Sequence, residues 1–381
     1  MAVFFIVVLT IYTLLNLYLF FKGYNALPVL QANKLLYTLT FFLISVIFIV
    51  AKIIEARHSS LITDVLNIIG GFWLAFMLYG FIFFLLSDII LLLFRIIGIL
   101  GSDTIPLFRK WSFLITSSIS VLLITGGFIN AVIPVVREYN TTIDKPAGEF
   151  KNLRIAAVSD IHLGSVIRKR SIIKLSSMMK DLNPDVVLLL GDIIDGEIGP
   201  VLRGDLLQYF TCPRCREGIY AIAGNHEYIG GGSKTIPYIE SKGIRVLKDE
   251  IITLDGGIQL IGRIDRDALR FYGKGRKSIG ELISQADTTK PMILLDHQPF
   301  HLEESVRNGI DLQLSGHTHN GQMWPLNYIT RMIYDVSYGY VKRGNTNIIV
   351  SSGYGLWGPR VRSGSRSEVL LINITFNGKN Q

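Results

Sequence analysis

Residues Leu153–Asp192 read LRIAAVSDIHLGSVIRKRSIIKLSSMMKDLNPDVVLLLGD. Two apolar runs, Leu153–Ser159 and Val186–Leu190, flank a helix-like stretch, Lys169–Leu182, which stops at Asn183-Pro184. Short apolar runs between turn signals predict strands covered on both faces. A proline disfavours helix in the residue before it. The alternation continues downstream. Strands are expected at Gly218–Ala223, Ile244–Leu247, Gln259–Ile261, Pro291–Leu295, Leu312–Ser315, Ile348–Ser351 and Glu368–Phe376, and a short helix at Ile236–Lys242. The expectation is a layered α/β or α+β sandwich with covered sheets.

Upstream the chain changes character. The 381 residues carry a formal net charge of +8, and mean hydropathy is +0.40. Residues 1–150 hold nine Lys/Arg and seven Asp/Glu; residues 151–381 hold 29 and 23. Four uncharged runs fall in the first part, within 1–21, 35–51, 65–87 and 111–136. Crossing a bilayer takes about 20 apolar residues, so 1–137 reads as a transmembrane module of four helices. The first run lacks a basic start and a small-residue cleavage site, so it reads as retained. Asp88–Gly101 either extends the third helix or lies in the interface. Basic residues flank the two sides equally and give no orientation. Residues 138–151, with Pro, Gly and charge, read as a linker, and 152–381 as the second domain. Composition excludes a disordered chain. The diffuse positive surplus does not argue for nucleic acid as a partner.

Metal-ligating residue types stand where the apolar runs end: Asp160 and His162, Asp192, Asn225 with His226 and Glu227, His297, then His317 and His319. Residues two apart on a strand face the same way, which suits Asp160 with His162 and His317 with His319. Five of the seven histidines fall in these blocks. Three carboxylate or amide oxygens and four imidazoles are too many for one ion. They fit two ions sharing a carboxylate, the arrangement used in phosphoester hydrolysis. Mixed nitrogen and oxygen ligands favour Mn, Fe or Zn over Ca.

The blocks DIH, GD, GNHE, His297 and GHTH stand in the order of the calcineurin-like metallophosphoesterase superfamily, which this sequence resembles over most of 153–320. The resemblance is greatest to its bacterial membrane-associated branch, through SGHTHNGQ at 315–322 and SGYGLWGP at 352–359. It implies two packed mixed β-sheets flanked by helices, and hydrolysis of a phosphoester by a metal-bridging hydroxide. It also implies roles. Asp160, His162 and His319 bind one metal, Asn225, His297 and His317 the other, and Asp192 bridges. His226 protonates the leaving oxygen, with Glu227 orienting it. UDP-diacylglucosamine pyrophosphatases belong to the same superfamily. With the helices, this points to a multi-pass protein of the cell membrane acting on a lipid or cell-envelope phosphoester.

Three weaker signals accompany these. Cys212-Pro-Arg-Cys215 reads as a loop with two close thiols, a redox pair, half of a zinc site or, in an oxidising compartment, a tight disulfide. Arg168-Lys169-Arg170 and Arg360, Arg362 and Arg366 could hold an anionic headgroup. Asp296 is an unusual neighbour for His297. The rival functions are a membrane sensor whose domain binds without cleaving, and a protein phosphatase.

Overall fold

The computed structural model describes residues 2–273 and 275–378. Met1 of the first expected span and residues 379–381 of the second domain lie outside them. The chain divides into two units, Met1–Phe128 with Gly358–Val361 and Ile129–Trp357 with Arg362–Gln381.

The first unit is helical. It contains α1 (Ala2–Ala26), a short α2 (Pro28–Ala32), α3 (Lys34–Arg57), α4 (Leu61–Ile96) and most of α5 (Ile105–Val132). Four of these, all but α2, are long and apolar enough to cross a membrane. They cover the four expected spans, except that the fourth ends at Val132. The ambiguous segment after Asp88 continues α4. Its 36 residues make a helix about 54 Å long, and Gly98 follows it at φ 74°, a left-handed residue of the kind that closes helices. Several polar side chains on these helices pair with one another. Trp73 Nε1 donates to Asn16 Oδ1 at 3.0 Å. Tyr18 donates to Asp88 at 2.7 Å, and Lys22 forms an ion pair with the same carboxylate.

The second unit contains twelve strands among the described residues: β1 (Val135–Ile143), β2 (Asn152–Val158), β3 (Val186–Leu190), β4 (Ile219–Ile222), β5 (Arg245–Leu247), β6 (Glu250–Thr253), β7 (Gln259–Gly262), β8 (Met292–Leu295), β9 (Leu312–Ser315), β10 (Gly339–Arg343), β11 (Thr346–Val350) and β12 (Glu368–Phe376). They form two six-stranded mixed sheets, ordered β1-β12-β2-β3-β4-β5 and β10-β11-β9-β8-β7-β6. Leu153, Ile155, Leu188 and Leu190 of the first sheet share one buried cluster with Leu260, Ile293, Leu295, Leu312 and Leu314 of the second. The sheets therefore pack face to face. Connections carry α6 (Lys169–Leu182), α7 (Gly199–Gly204), α8 (Asn225–Ile229), α9 (Gly232–Glu240), α10 (Ala268–Tyr272), α11 (Ile279–Ile283), α12 (Leu302–Arg307) and α13 (Leu326–Ile333).

The expected linker 138–151 needs correcting. Its first six residues belong to β1, which runs parallel to β12 from Val135↔Glu368 to Ile143↔Phe376. Arg137, Glu138 and Asn140 are polar because β1 is an edge strand with one hydrogen-bonded neighbour. Such strands carry charge to discourage further pairing. Two other strands went unpredicted, β6 and β10, and both are edges of the second sheet. Cys212 and Cys215 are joined as a disulfide with Cα atoms 5.5 Å apart.

Candidate metal centre

The parallel strands β2, β3 and β4 end side by side, and β8 and β9 end in the facing sheet. All nine predicted site residues follow these five ends. The backbone there turns sharply. Asp160, His162, Asp192, His317 and His319 all have φ between 48° and 69°. Positive φ in residues with a Cβ is unfavourable and collects at functional sites. Two glycines make the close approach possible. A Cβ on Gly224 would collide with the Asp192 carboxylate, and one on Gly316 with Ser159.

The ligand atoms fall into two groups with one shared member. In the first, His162 Nε2 lies 3.1 Å from His319 Nε2 and 3.9 Å from Asp160 Oδ1, and His319 Nε2 is 3.5 Å from that oxygen. Ligands about 2.1 Å from a tetrahedral ion are about 3.4 Å apart, so this spacing fits a common ion. The second group joins Asp192, His297 and His317. Asp192 Oδ2 stands 3.2 Å from His297 Nε2 and 3.8 Å from His162 Nε2. One carboxylate therefore reaches both groups.

The surrounding contacts free the ligand atoms. His297 Nδ1 donates to the Leu190 carbonyl at 2.7 Å, which turns Nε2 toward Asp192. Asn225 Oδ1 is buried and makes no hydrogen bond. A buried polar atom without a partner is costly, and a cation would satisfy it. The fit to metal thus rests on this orphaned amide oxygen as well as on residue type. Asp160 is held by the His317 N–H, which donates to both oxygens at 3.1 and 3.0 Å.

One predicted role changes. Glu227 does not touch the His226 ring. Its carboxylate accepts from the backbone amides of Asp192, Ile194 and Gly224 at 3.0, 2.8 and 2.8 Å. Burial and the neighbouring Asp192 push its acid up to about 7 against those amides. The residue against His226 is Asp195, which the sequence reading missed. One oxygen of Asp195 lies 3.3 Å from His226 Nδ1 and 3.3 Å from His162 Nδ1. It holds both rings with their Nε2 atoms turned away. Burial disfavours the charged form of His226, but the Asp192 and Asp195 carboxylates outweigh it and raise the group to about 9. Protonated, it is an acid facing the cavity.

The arginine expectation is corrected at Arg362 and is not supported at 168–170. Arg362 is fully buried; it donates to the Gly355 carbonyl at 2.7 Å and lies 3.0 Å from His319 Nδ1. It positions a predicted ligand and is closed to any headgroup. Lys169 lies over the Tyr209 ring, 4.2 Å away, and none of Arg168, Lys169 and Arg170 lines the cavity. Asp296 is clamped by Arg263 and Arg276, each at 2.9 Å. His301 is exposed at the start of α12. The cavity has a volume of about 350 Å³, and His162, Asp192, His226, His317 and His319 line it.

Comparison with known proteins agrees with this geometry. The family model for the calcineurin-like phosphoesterase matches residues 153–321. An uncharacterized metallophosphoesterase of Aquifex aeolicus is 30% identical over 264 residues, covering 68% of this chain and 99% of that protein. A transmembrane protein with metallophosphoesterase domain from Danio rerio is 30% identical, covering 67% of this chain and 60% of its own. The UDP-2,3-diacylglucosamine pyrophosphatase of Chlamydia trachomatis is 23% identical, covering 63% of this chain and 89% of its own. Strand-end ligands in five blocks, a shared carboxylate and a relative matched over nearly its full length lead to one conclusion: this chain belongs to the calcineurin-like metallophosphoesterases and carries a metal-dependent phosphoester hydrolase domain.

Proposed function

We propose that the protein is a membrane-anchored hydrolase of a lipid or lipid-linked phosphoester, working with two metal ions. The observation that carries the two-ion reading is the position of Asp192 Oδ2, within reach of both ligand groups. Asp160, His162 and His319 would hold one ion, Asn225, His297 and His317 the other, and Asp192 would reach both. Such ions supply Lewis acidity and a nucleophile at neutral pH. The protein side of the reaction falls to His226. Asp195 fixes its Nδ1, so its Nε2 carries the proton given to the leaving oxygen. Glu227 holds the turns bearing Asp192 and Asn225 together.

The lipid part of the reading is supported by the four long apolar helices and by a relative whose name gives a diacylated sugar nucleotide as its substrate. The same helices support a multi-pass protein of the cell membrane. The test is hydrolysis by the full chain in nanodiscs, with a chromogenic diester and monoester side by side, with Mn²⁺ and with chelator. Metal-dependent turnover that disappears in Asp192→Asn supports the reading. Metal bound without turnover on any ester, native lipid extract included, favours the binding-module alternative.

A further inference from the structure

The cavity is also lined by α13, Leu326-Asn-Tyr-Ile-Thr-Arg-Met-Ile333, and none of its side chains is buried. Leu326, Ile329, Thr330 and Ile333 face the cavity that holds His162, Asp192 and His226. Their spacing of three and four residues is one stripe of a helix. Ile329 and Ile333 are 46% and 57% exposed, and Trp357 beside them 49%. A stripe like this ordinarily packs into a core. Here it is turned toward the reacting centre and left open.

The chemistry of the wall selects its occupant. Apart from Asp192, no lining residue is acidic, and none is Lys or Arg. Along the α13 stripe itself a sugar or base would meet no charged side chain and only Thr330 to hydrogen-bond. A hydrocarbon chain would gain from every methylene it took out of water. The wall and the proposed metal ligands line one continuous cavity, so whatever covers the wall is joined to the phosphorus being attacked. The domain also follows the fourth long apolar helix after only Ile133 and Pro134, so its covalent neighbour is a segment suited to a bilayer.

We infer that the α13 stripe is a subsite for an acyl chain of an amphiphilic phosphoester, which deepens the phosphoesterase reading and rests on it. Chain length is then a specificity determinant read by Ile329 and Ile333. The probes are methyl, butyl and octyl p-nitrophenyl phosphate, given to the full chain in nanodiscs with Mn²⁺. A buried methylene is worth about fourfold in kcat/KM. Because the wall is half open, the expected gain from butyl to octyl is roughly tenfold to a hundredfold. Ile329→Ser with Ile333→Ser should flatten the octyl-to-methyl ratio. Ile173→Ser, an exposed apolar change on α6, should leave that ratio alone. A flat chain-length series on active enzyme overturns the subsite and leaves the phosphoesterase reading standing. So does a steep series that survives the double substitution. Absence of turnover on every ester overturns both.

Discussion

Replacing Glu227 by Gln separates two accounts of this residue. Its Oε1 accepts the Ile194 amide and its Oε2 the Asp192 and Gly224 amides, all buried. Glutamine keeps the shape but only one acceptor oxygen. With that oxygen placed on the two amides, its NH₂ faces the Ile194 N–H, donor against donor. The loss is one hydrogen bond to a charged acceptor and one unsatisfied buried amide, each about 1–3 kcal/mol, or roughly 3 kcal/mol together. In a domain of this size 1 kcal/mol moves Tm by about 2–4 °C, so the expected fall is roughly 6–12 °C. Differential scanning fluorimetry of the full chain in nanodiscs reads it, because Trp324 and Trp357 lie in this domain. Bound metal, counted by mass spectrometry, should fall with Tm, since the same amides tie the turn after β3 to the start of α8. A variant that melts within about 2 °C of wild type, keeps its metal and still loses turnover would refute the reasoning. Glu227 would then act on His226 or the substrate directly.

Other outcomes follow from the same contacts. Asp195→Asn should lower kcat by roughly 10–100-fold with little change in Tm, as removal of a carboxylate behind a ligating histidine does elsewhere; an unchanged kcat would remove Asp195 from the site. Asp296→Ala leaves the buried Arg263 with only the Lys277 carbonyl at 3.1 Å and Glu304 at 3.8 Å, and should cost about 3 kcal/mol in stability, read as a lower Tm. Dialysis against chelator should abolish turnover, and Mn²⁺ should restore it in wild type but not in Asp192→Asn. Metal analysis of the active protein should give two ions per chain and fewer in that variant.

How much of this could be read from the sequence depended on burial. Strands β3, β9 and β12 match their expected limits, because interior strands are apolar on both faces and stop at turn residues. The strands β1, β6 and β10 were missed, and all three are edges, where one side of the ladder is solvated and the sequence turns polar. The seven predicted ligands all gather at the strand ends, since each sits directly after an apolar run. Asp195 escaped because its partners depend on the left-handed turn at Asp192. No local pattern announces that turn in a residue other than glycine. Arg362 escaped for a related reason. An arginine in a Gly-rich tail reads as solvated, and only the tertiary fold shows it buried against His319. Glu227 was placed correctly but given the wrong partner, because adjacency in sequence to His226 does not say where a side chain on a helical turn points.

The pairing of β1 with β12 bears on how the protein is made. β1 leaves the ribosome directly after the helices, while Glu368, the partner of its first residue Val135, is added 233 residues later by their numbering. At about 5–20 residues per second that is a wait of roughly 10–50 s. Throughout it, β1 has no neighbour in its sheet, and its open row of amides and carbonyls can be claimed by any other extended chain. The charged and amide side chains of Arg137, Glu138 and Asn140, which disguise β1 as a tether, are what a strand needs to remain unclaimed until its partner is synthesised.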